Sequence, residues 1–330
     1  MKKLMNEADR FVPDVLEGFG AAHADLVQVH GDPWFVTRRD RASGKVGLVS
    51  GGGTGHEPLH VGFVGHGMLD AAVPGPVFTS PTPDAIVAAS RAADGGRGVV
   101  HVVKNYTGDV LNFETAAELL EDEGIAVRTV LVDDDVAVQG STFTAGRRGV
   151  AGVVPVEKIA GAAAERGDGL DEVVAVAERV VGQVRTMGVA LAAATVPHVG
   201  RPGFDLAEGE VEIGVGIHGE PGRRRGPLEP ADALTGHLVE PLLQDLALGG
   251  DDEVLLLVNG MGGTPLSELY VVYRGARRHL EDAGVRVARS SVGNLVTSLD
   301  MQGASVTTLR LDPELMALWD APVRTPALRW

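Results

Sequence analysis

Two α/β domains with mixed sheets are what this 330-residue sequence predicts, and three observations carry the prediction. The length is about twice the usual ~150 residues of a single domain. Short β-rich runs alternate with helical patterns along the whole chain, which favours α/β layering over an all-β fold. Loops rich in Gly, Pro and polar residues follow several of the β runs, at the strand ends where open α/β sheets gather ligands.

The predicted strands are "KVGLVS" (45–50), "GVVHVV" (98–103), "AVRTVLV" (126–132), "VEIGVGI" (211–217), "EVLLLV" (253–258), "VRVARSSV" (285–292) and "SVTTLRL" (305–311). Helices are expected over 83–93, where Thr82 can cap and Pro83 suits the first turn, over 112–123, stopped by Gly124, and over 265–282, between Pro265 and Gly284. A helical stretch over 157–185 precedes the Pro/Gly-rich "VPHVGRPGF" (196–204). The expected division is therefore an N-terminal domain at 1–185, with the loops "GGGTGHEP" and "KNYTGD", and a C-terminal domain at 186–330 carrying His218.

Composition excludes several function classes. With 29 basic and 45 acidic residues the net charge is −16, and no stretch interleaves Lys/Arg with aromatics, so a nucleic-acid partner is not expected. The absence of cysteine removes disulfide and thiolate chemistry and fits a reducing compartment. The start "MKKLMNEADRF" meets Asn6, Glu7 and Asp9 before any apolar segment, and no run approaches the ~18 apolar residues of a membrane span. These features predict a cytoplasmic enzyme or binding protein away from membranes.

"GGGTGHEP" (51–58) lacks the Gly-Lys-Ser/Thr ending of a P-loop and accommodates no G-x-G-x-x-G, so it does not argue for a nucleotide. "HEPLH" (56–60) matches the zinc-protease pattern H-E-x-x-H, yet Pro58 sits between histidines that must share one helix face, which argues strongly against zinc. What remains is a glycine-rich turn with free backbone N–H groups and one imidazole, His56, suited to ligand hydroxyls or a transferring phosphoryl group. "VVKNYTGDVLNF" (102–113) adds Lys104, able to hold a ligand oxygen, and Asp109, able to accept a hydroxyl proton, in a loop between strand and helix. Taken singly, each reads as a surface lysine or a helix-start carboxylate. Asp133, Asp134 and Asp135 suggest Mg²⁺, but consecutive extended residues face opposite ways, and a strand end with a turn is the better reading. "GVGIHGEPGRRR" (214–225) presents His218 between glycines at the end of a strand-like run. His60, His66, His101, His198, His237 and His279 are assigned no role.

At these residues the sequence resembles the substrate-binding K subunit of dihydroxyacetone kinases. The resemblance runs from "GKVGLVSGGGTGHEP" (44–58) through "FTSPTPD" (78–84), "KNYTGDVLNFETA" (104–116), "DDDVAV" (133–138), "TAGRRGVAG" (144–152) and "AAAERGD" (162–168). It continues through "GVGIHGEPG" (214–222), "TPLSELY" (264–270), "TSLDM" (297–301) and "MALWDAPV" (316–323), and so covers nearly the whole chain. It implies that His218 joins the C2 ketone of dihydroxyacetone as a hemiaminal, that His56 and Asp109 are the acid–base pair around the reacting hydroxyl, and that Gly53 and Lys104 bind substrate, with Ser80 beside the pocket. It further implies a homodimer with no cofactor of its own. A nucleotide-binding L subunit would carry ADP or ATP with Mg²⁺, recharged by an M subunit where the phosphoenolpyruvate phosphotransferase system is the source. The segment 223–252 departs from the family pattern and puts the partner-facing surface in question. A kinase subunit for a related ketose such as erythrulose, and a triose-binding sensor or coactivator without turnover, are the competing readings; a zinc hydrolase is a third.

Overall fold

The computed structural model describes residues 2–41, 43–137 and 146–330. Val138 of "DDDVAV", and Thr144 and Ala145 of "TAGRRGVAG", lie outside them. The first sheet contains β1 (Val27–His30), β2 (Phe35–Arg38), β3 (Gly47–Thr54), β4 (Ala71–Val77), β5 (Val99–Lys104) and β6 (Val127–Val132), in the order β1-β2-β4-β3-β5-β6. Strands β4, β3, β5 and β6 run parallel, and β1 and β2 are antiparallel additions at one edge. The second contains β7 (Val184–Ala192), β8 (Glu210–Ile213), β9 (Arg224–Pro227), β10 (Glu253–Gly260), β11 (Arg286–Gly293) and β12 (Gln302–Leu311), in the order β11-β10-β12-β7-β8-β9. Only the β10–β11 pair is parallel there, so both sheets are mixed, as expected.

Helices α1 (Phe11–Ala22), α2 (Pro83–Ala93), α3 (Thr107–Asp122), α4 (Val153–Arg166), α5 (Leu170–Gln183), α6 (Ala231–Asp245), α7 (Leu266–Asp282) and α8 (Pro313–Asp320) cover the sheets. Burial on both faces explains why the strands read as continuous apolar runs. Along β10, Val254, Leu256 and Val258 pack towards α6 and α7, while Leu255 and Leu257 join a core shared with α4, α5 and the first sheet. In β5, Val100 and Val102 enter that shared core, and Val99 and Val103 pack on α2 and α3. Helices α4 and α5 are thus a middle layer between the two sheets.

Several expectations need correction. The helix expected from 112 begins at Thr107, because Gly108 and Asp109 in its first turn weaken the apolar periodicity there. Lys104 is consequently the last residue of β5 and Asp109 lies in the first turn of α3, rather than both in a loop. The stretch 157–185 is two helices broken at Gly167, whose φ of 98° is left-handed, and its last two residues begin β7, so the 185/186 division falls inside a strand. The run 211–217 leaves the sheet at Ile213, and Gly214 turns the chain with φ 84°. Strand β4 was concealed by Pro74 and Pro76. Both lie beyond Ala72, where pairing with β2 has stopped and a missing N–H costs no ladder bond.

Candidate functional site

The parallel strands β3, β4 and β5 end side by side, and the turns that follow them open onto a cleft of about 420 Å³. The second sheet contributes its opposite wall: the β8–β9 loop brings in His218, Gly219, Glu220 and Pro221. Gly53, Ser80, Lys104, Asp109 and His218 all line this cleft, although they lie up to 165 residues apart in sequence. His56 does not line it. Its ring lies behind, 1 % exposed, with its centroid 4.8 Å from that of His218 and 4.9 Å from that of Phe78.

Glycine is required where the backbones crowd. A Cβ on Gly53 would lie 2.5 Å from the Thr79 nitrogen, and one on Gly108 would lie 2.7 Å from the Ser80 hydroxyl oxygen, so bulk at either position would displace a cleft wall. Phe78 holds a left-handed φ of 54°, uncommon for an aromatic residue, and this conformation lays its ring against both His56 and His218.

Hydrogen bonds engage Nδ1 of both imidazoles and leave Nε2 of each pointing away from that partner. His56 Nδ1 donates to the Thr297 carbonyl at 2.7 Å, while its buried Nε2 has no partner among the described residues. Burial, reinforced by the charges of His218 and Lys104, holds His56 well below the ordinary histidine range, so it stays neutral at pH 7. His218 is only partly buried. Its Nδ1 donates to Glu220 Oε1 at 2.9 Å and its backbone N–H donates to Oε2 at 2.5 Å, which turns Nε2 away from the carboxylate. Burial raises Glu220, but the hydrogen bond and charge of His218 and the charge of Arg148 outweigh it and keep the carboxylate ionised. Arg148 is in turn held by Asp135 and the Gly214 carbonyl.

Across the cleft, Lys104 Nζ lies 3.6 Å from Asp109 Oδ2, and Asp109 Oδ1 is buried with no partner among the described residues. The N-terminus of α3 faces the same space, adding its partial positive charge to that of the ammonium. An imidazole nitrogen, a carboxylate, a lysine side chain and a helix N-terminus therefore line the same cleft. Such a set suits addition to a carbonyl and handling of an oxyanion or phosphoryl group.

Glu220 and the two aromatic residues Phe78 and Tyr106 were missed by sequence reasoning. The one available signal for Glu220 was a carboxylate two residues beyond a loop histidine. The other two motif readings find no geometry. Residues 55–60 form a turn, not a helix; both ring nitrogens of His60 and Nδ1 of His56 are engaged, and no group of three or more His, Asp or Glu among the described residues is arranged to hold a metal. Asp134 accepts from the N–H groups of Val150 and Gly152, and Asp135 binds Arg148, so these carboxylates serve the chain itself.

Comparison with known families settles the kinship of this arrangement. A family model described as the Dak1 domain matches residues 17–327. The chain belongs to the Dak1 family. Among Dak1 relatives, it is 52 % identical to the dihydroxyacetone-binding subunit DhaK of the PTS-dependent dihydroxyacetone kinase 1 of Listeria innocua, over 95 % of both chains. It is 48 % identical to the dihydroxyacetone-binding subunit DhaK of the PEP-dependent dihydroxyacetone kinase of Escherichia coli K12, over 100 % of this chain and 99 % of that one. Among solved structures, the dihydroxyacetone kinase operon co-activator Dha-DhaQ superposes with a TM-score of 0.90 at 37 % identity, over 98 % of both chains. The dihydroxyacetone kinase of C. freundii in complex with AMP-PNP and Mg²⁺ also gives a TM-score of 0.90, at 35 % identity; the match covers 98 % of this chain and 60 % of that one. Among the described residues no helix is long and apolar enough to cross a membrane.

Proposed function

We propose that this chain is the substrate-binding subunit of a cytoplasmic dihydroxyacetone kinase, holding the triose covalently on His218 while a separate L subunit delivers the phosphoryl group. The observation that carries the reading is His218 itself: a loop imidazole lining the cleft, with Nδ1 committed to a carboxylate and Nε2 turned away from it. In the capture step the Nε2 lone pair forms a bond to C2, and the carbonyl π pair moves onto oxygen. Glu220 takes the proton that Nδ1 must release, the alkoxide gains a proton from solvent, and Glu220 returns its own, so the net reaction is a neutral addition giving a hemiaminal.

A covalent bond is a reasonable device for so small a ligand, which has few atoms to supply non-covalent affinity. It also rejects polyols such as glycerol that have no carbonyl. Capture directs a terminal hydroxyl towards Asp109, which removes its proton as the oxygen attacks phosphorus; the bond to the donor's leaving oxygen breaks, and ADP departs with that electron pair if the L subunit carries ATP. In this reading His56 is the second acid–base group around the substrate, acting from behind Phe78 and His218. Lys104, Gly53 and Ser80 bind ligand oxygens. Nucleotide and Mg²⁺ belong to the L subunit, recharged by an M subunit where the phosphotransferase system is the source, and the subunit works as a homodimer.

The test is carbon NMR with dihydroxyacetone labelled at C2. Bound ligand should lose its ketone resonance and gain a tetrahedral one, and His218→Ala should abolish the new signal; an adduct that persists in the variant would refute the assignment. The likeness to the co-activator supports a second reading, a triose sensor on the same fold. Capture without product formation in the presence of a cognate L subunit would favour it. Efficient turnover of erythrulose in preference to the triose would favour the longer ketose.

A further inference from the structure

Behind the cleft lies a buried chain of polar groups that the chemistry above does not use. Glu157 stands in the middle of α4, fully buried between the sheets. Its Oε1 lies 2.5 Å from His60 Nδ1, and His60 Nε2 lies 2.9 Å from Lys104 Nζ. Lys104 Nζ also donates to the Gly51 carbonyl at 3.2 Å and faces Asp109 Oδ2 at 3.6 Å. Gly52 makes the room, since a Cβ there would collide with the ammonium.

We propose that Glu157 and His60 are positioning residues that hold the Lys104 ammonium beside Asp109 through a single fixed histidine tautomer. An ammonium carries donors only, so the His60 nitrogen facing it must be the acceptor. The ring proton is then on Nδ1, where Glu157 Oε1 receives it. Ser50 Oγ, 3.1 Å from the same nitrogen, gives its own proton to the Val102 carbonyl and leaves the tautomer unchanged. Both ends of the imidazole thus demand the same proton placement. A lysine on a flexible four-carbon stem is otherwise a poor anchor for a ligand of few atoms. Here two acceptors and a neighbouring carboxylate define its position before any ligand arrives.

The inference rests on the proposed role of Lys104 as a ligand-binding group, and the experiment separates the two claims. Long-range proton–nitrogen NMR of the ligand-free chain should show His60 with a protonated Nδ1 and a bare Nε2, in the wild type and in Glu157→Gln, whose amide oxygen still accepts. A wild-type His60 protonated on Nε2 overturns the proposal whatever the chain binds. Dihydroxyacetone titrations then test the consequence. Glu157→Leu should weaken binding at least about tenfold, Glu157→Gln should restore most of it, and Glu157→Leu should add almost nothing in a Lys104→Met background, because residues acting through one group are non-additive. Equal losses in both backgrounds, or no loss in either, overturn the proposal. A wild-type chain that fails to bind the triose counts against the proposed function instead, and the tautomer alone then decides the relay.

Discussion

Replacing Glu157 by Gln should change the pH dependence of folding more than it changes stability at any one pH. Burial pushes this carboxyl up to about 8 from an ordinary 4.5, against the opposing charge of Lys104. The native state therefore keeps a proton that the unfolded chain releases above pH 4.5. Stability from this group is complete below pH 4.5 and is lost as the pH rises towards 8. At about 1.4 kcal/mol per pH unit, the loss between pH 5 and pH 8 is on the order of 3 kcal/mol. Glutamine does not titrate, so that component disappears. The proton of the native carboxyl sits on Oε2, which has no partner among the described residues, and the amide nitrogen of glutamine would leave a donor at the same place, so the replacement itself costs little where the carboxyl is protonated. Urea denaturation should accordingly find the variant about as stable as the wild type at pH 5 and more stable than it at pH 8. The acid-sensitive contributions of His56 and His60, whose pKa values lie far below normal and whose stabilisation is lost as pH falls below about 6.5, cancel in the comparison as long as both rings keep their surroundings. Parallel stability curves for the two proteins would refute the assignment of a protonated Glu157.

Three further outcomes follow from the cleft. Asp109→Asn keeps the shape and loses the base, so NMR should still find the hemiaminal while turnover with the L subunit falls by about 10² to 10⁴. Glu220→Gln removes the charge that orients His218; at about 1.5–3 kcal/mol for a charged hydrogen bond, titration should show roughly ten- to a hundredfold weaker capture, with the fold unchanged by circular dichroism. The isolated chain mixed with ATP–Mg²⁺ and dihydroxyacetone should bind the triose yet form no dihydroxyacetone phosphate until an L subunit and its phosphoryl source are added, and product from the demonstrably pure chain would contradict the two-component reading.

How much of the site was legible depended on where each residue lies in the chain. Gly53, Lys104 and His218 stand in or beside glycine-rich loops after strands, where sequence pattern and ligand-binding geometry coincide. Asp109 was found for the same reason, although its helix begins five residues earlier than periodicity suggested. Ser80 came from the family resemblance alone, and its place on the cleft wall is a separate observation. Glu157 had no such signal. Side by side in an apolar helix, "EK" at 157–158 reads as part of a solvated face, but both side chains are buried, one under the cleft and the other against the Leu318 carbonyl. Its partner His60 is 97 residues away, and only the layering of α4 beneath β3 and β5 joins them. Strand β4 illustrates the converse: two prolines argue against a strand until the neighbouring edge is known to be unpaired at that point.

The site also accounts for why the two sheets must be held in register. The His218 imidazole arrives on a loop of the second sheet, while Asp109 and Lys104 belong to the first, so a small rotation between the layers would separate His218 from Asp109. The β11–β12 loop opposes that rotation at the most sensitive place. Leu299 N–H donates to the Gly55 carbonyl at 2.7 Å, Thr297 N–H to the His56 carbonyl at 3.2 Å, and the Thr297 hydroxyl to the Glu57 carbonyl at 2.9 Å. The Thr297 carbonyl in return receives the His56 ring proton, so the same residue that ties the halves together also selects the His56 tautomer. Registration of the two halves and the tautomer of His56 therefore depend on one local network. A perturbation of either should be felt by the other, even though Thr297 does not line the cleft.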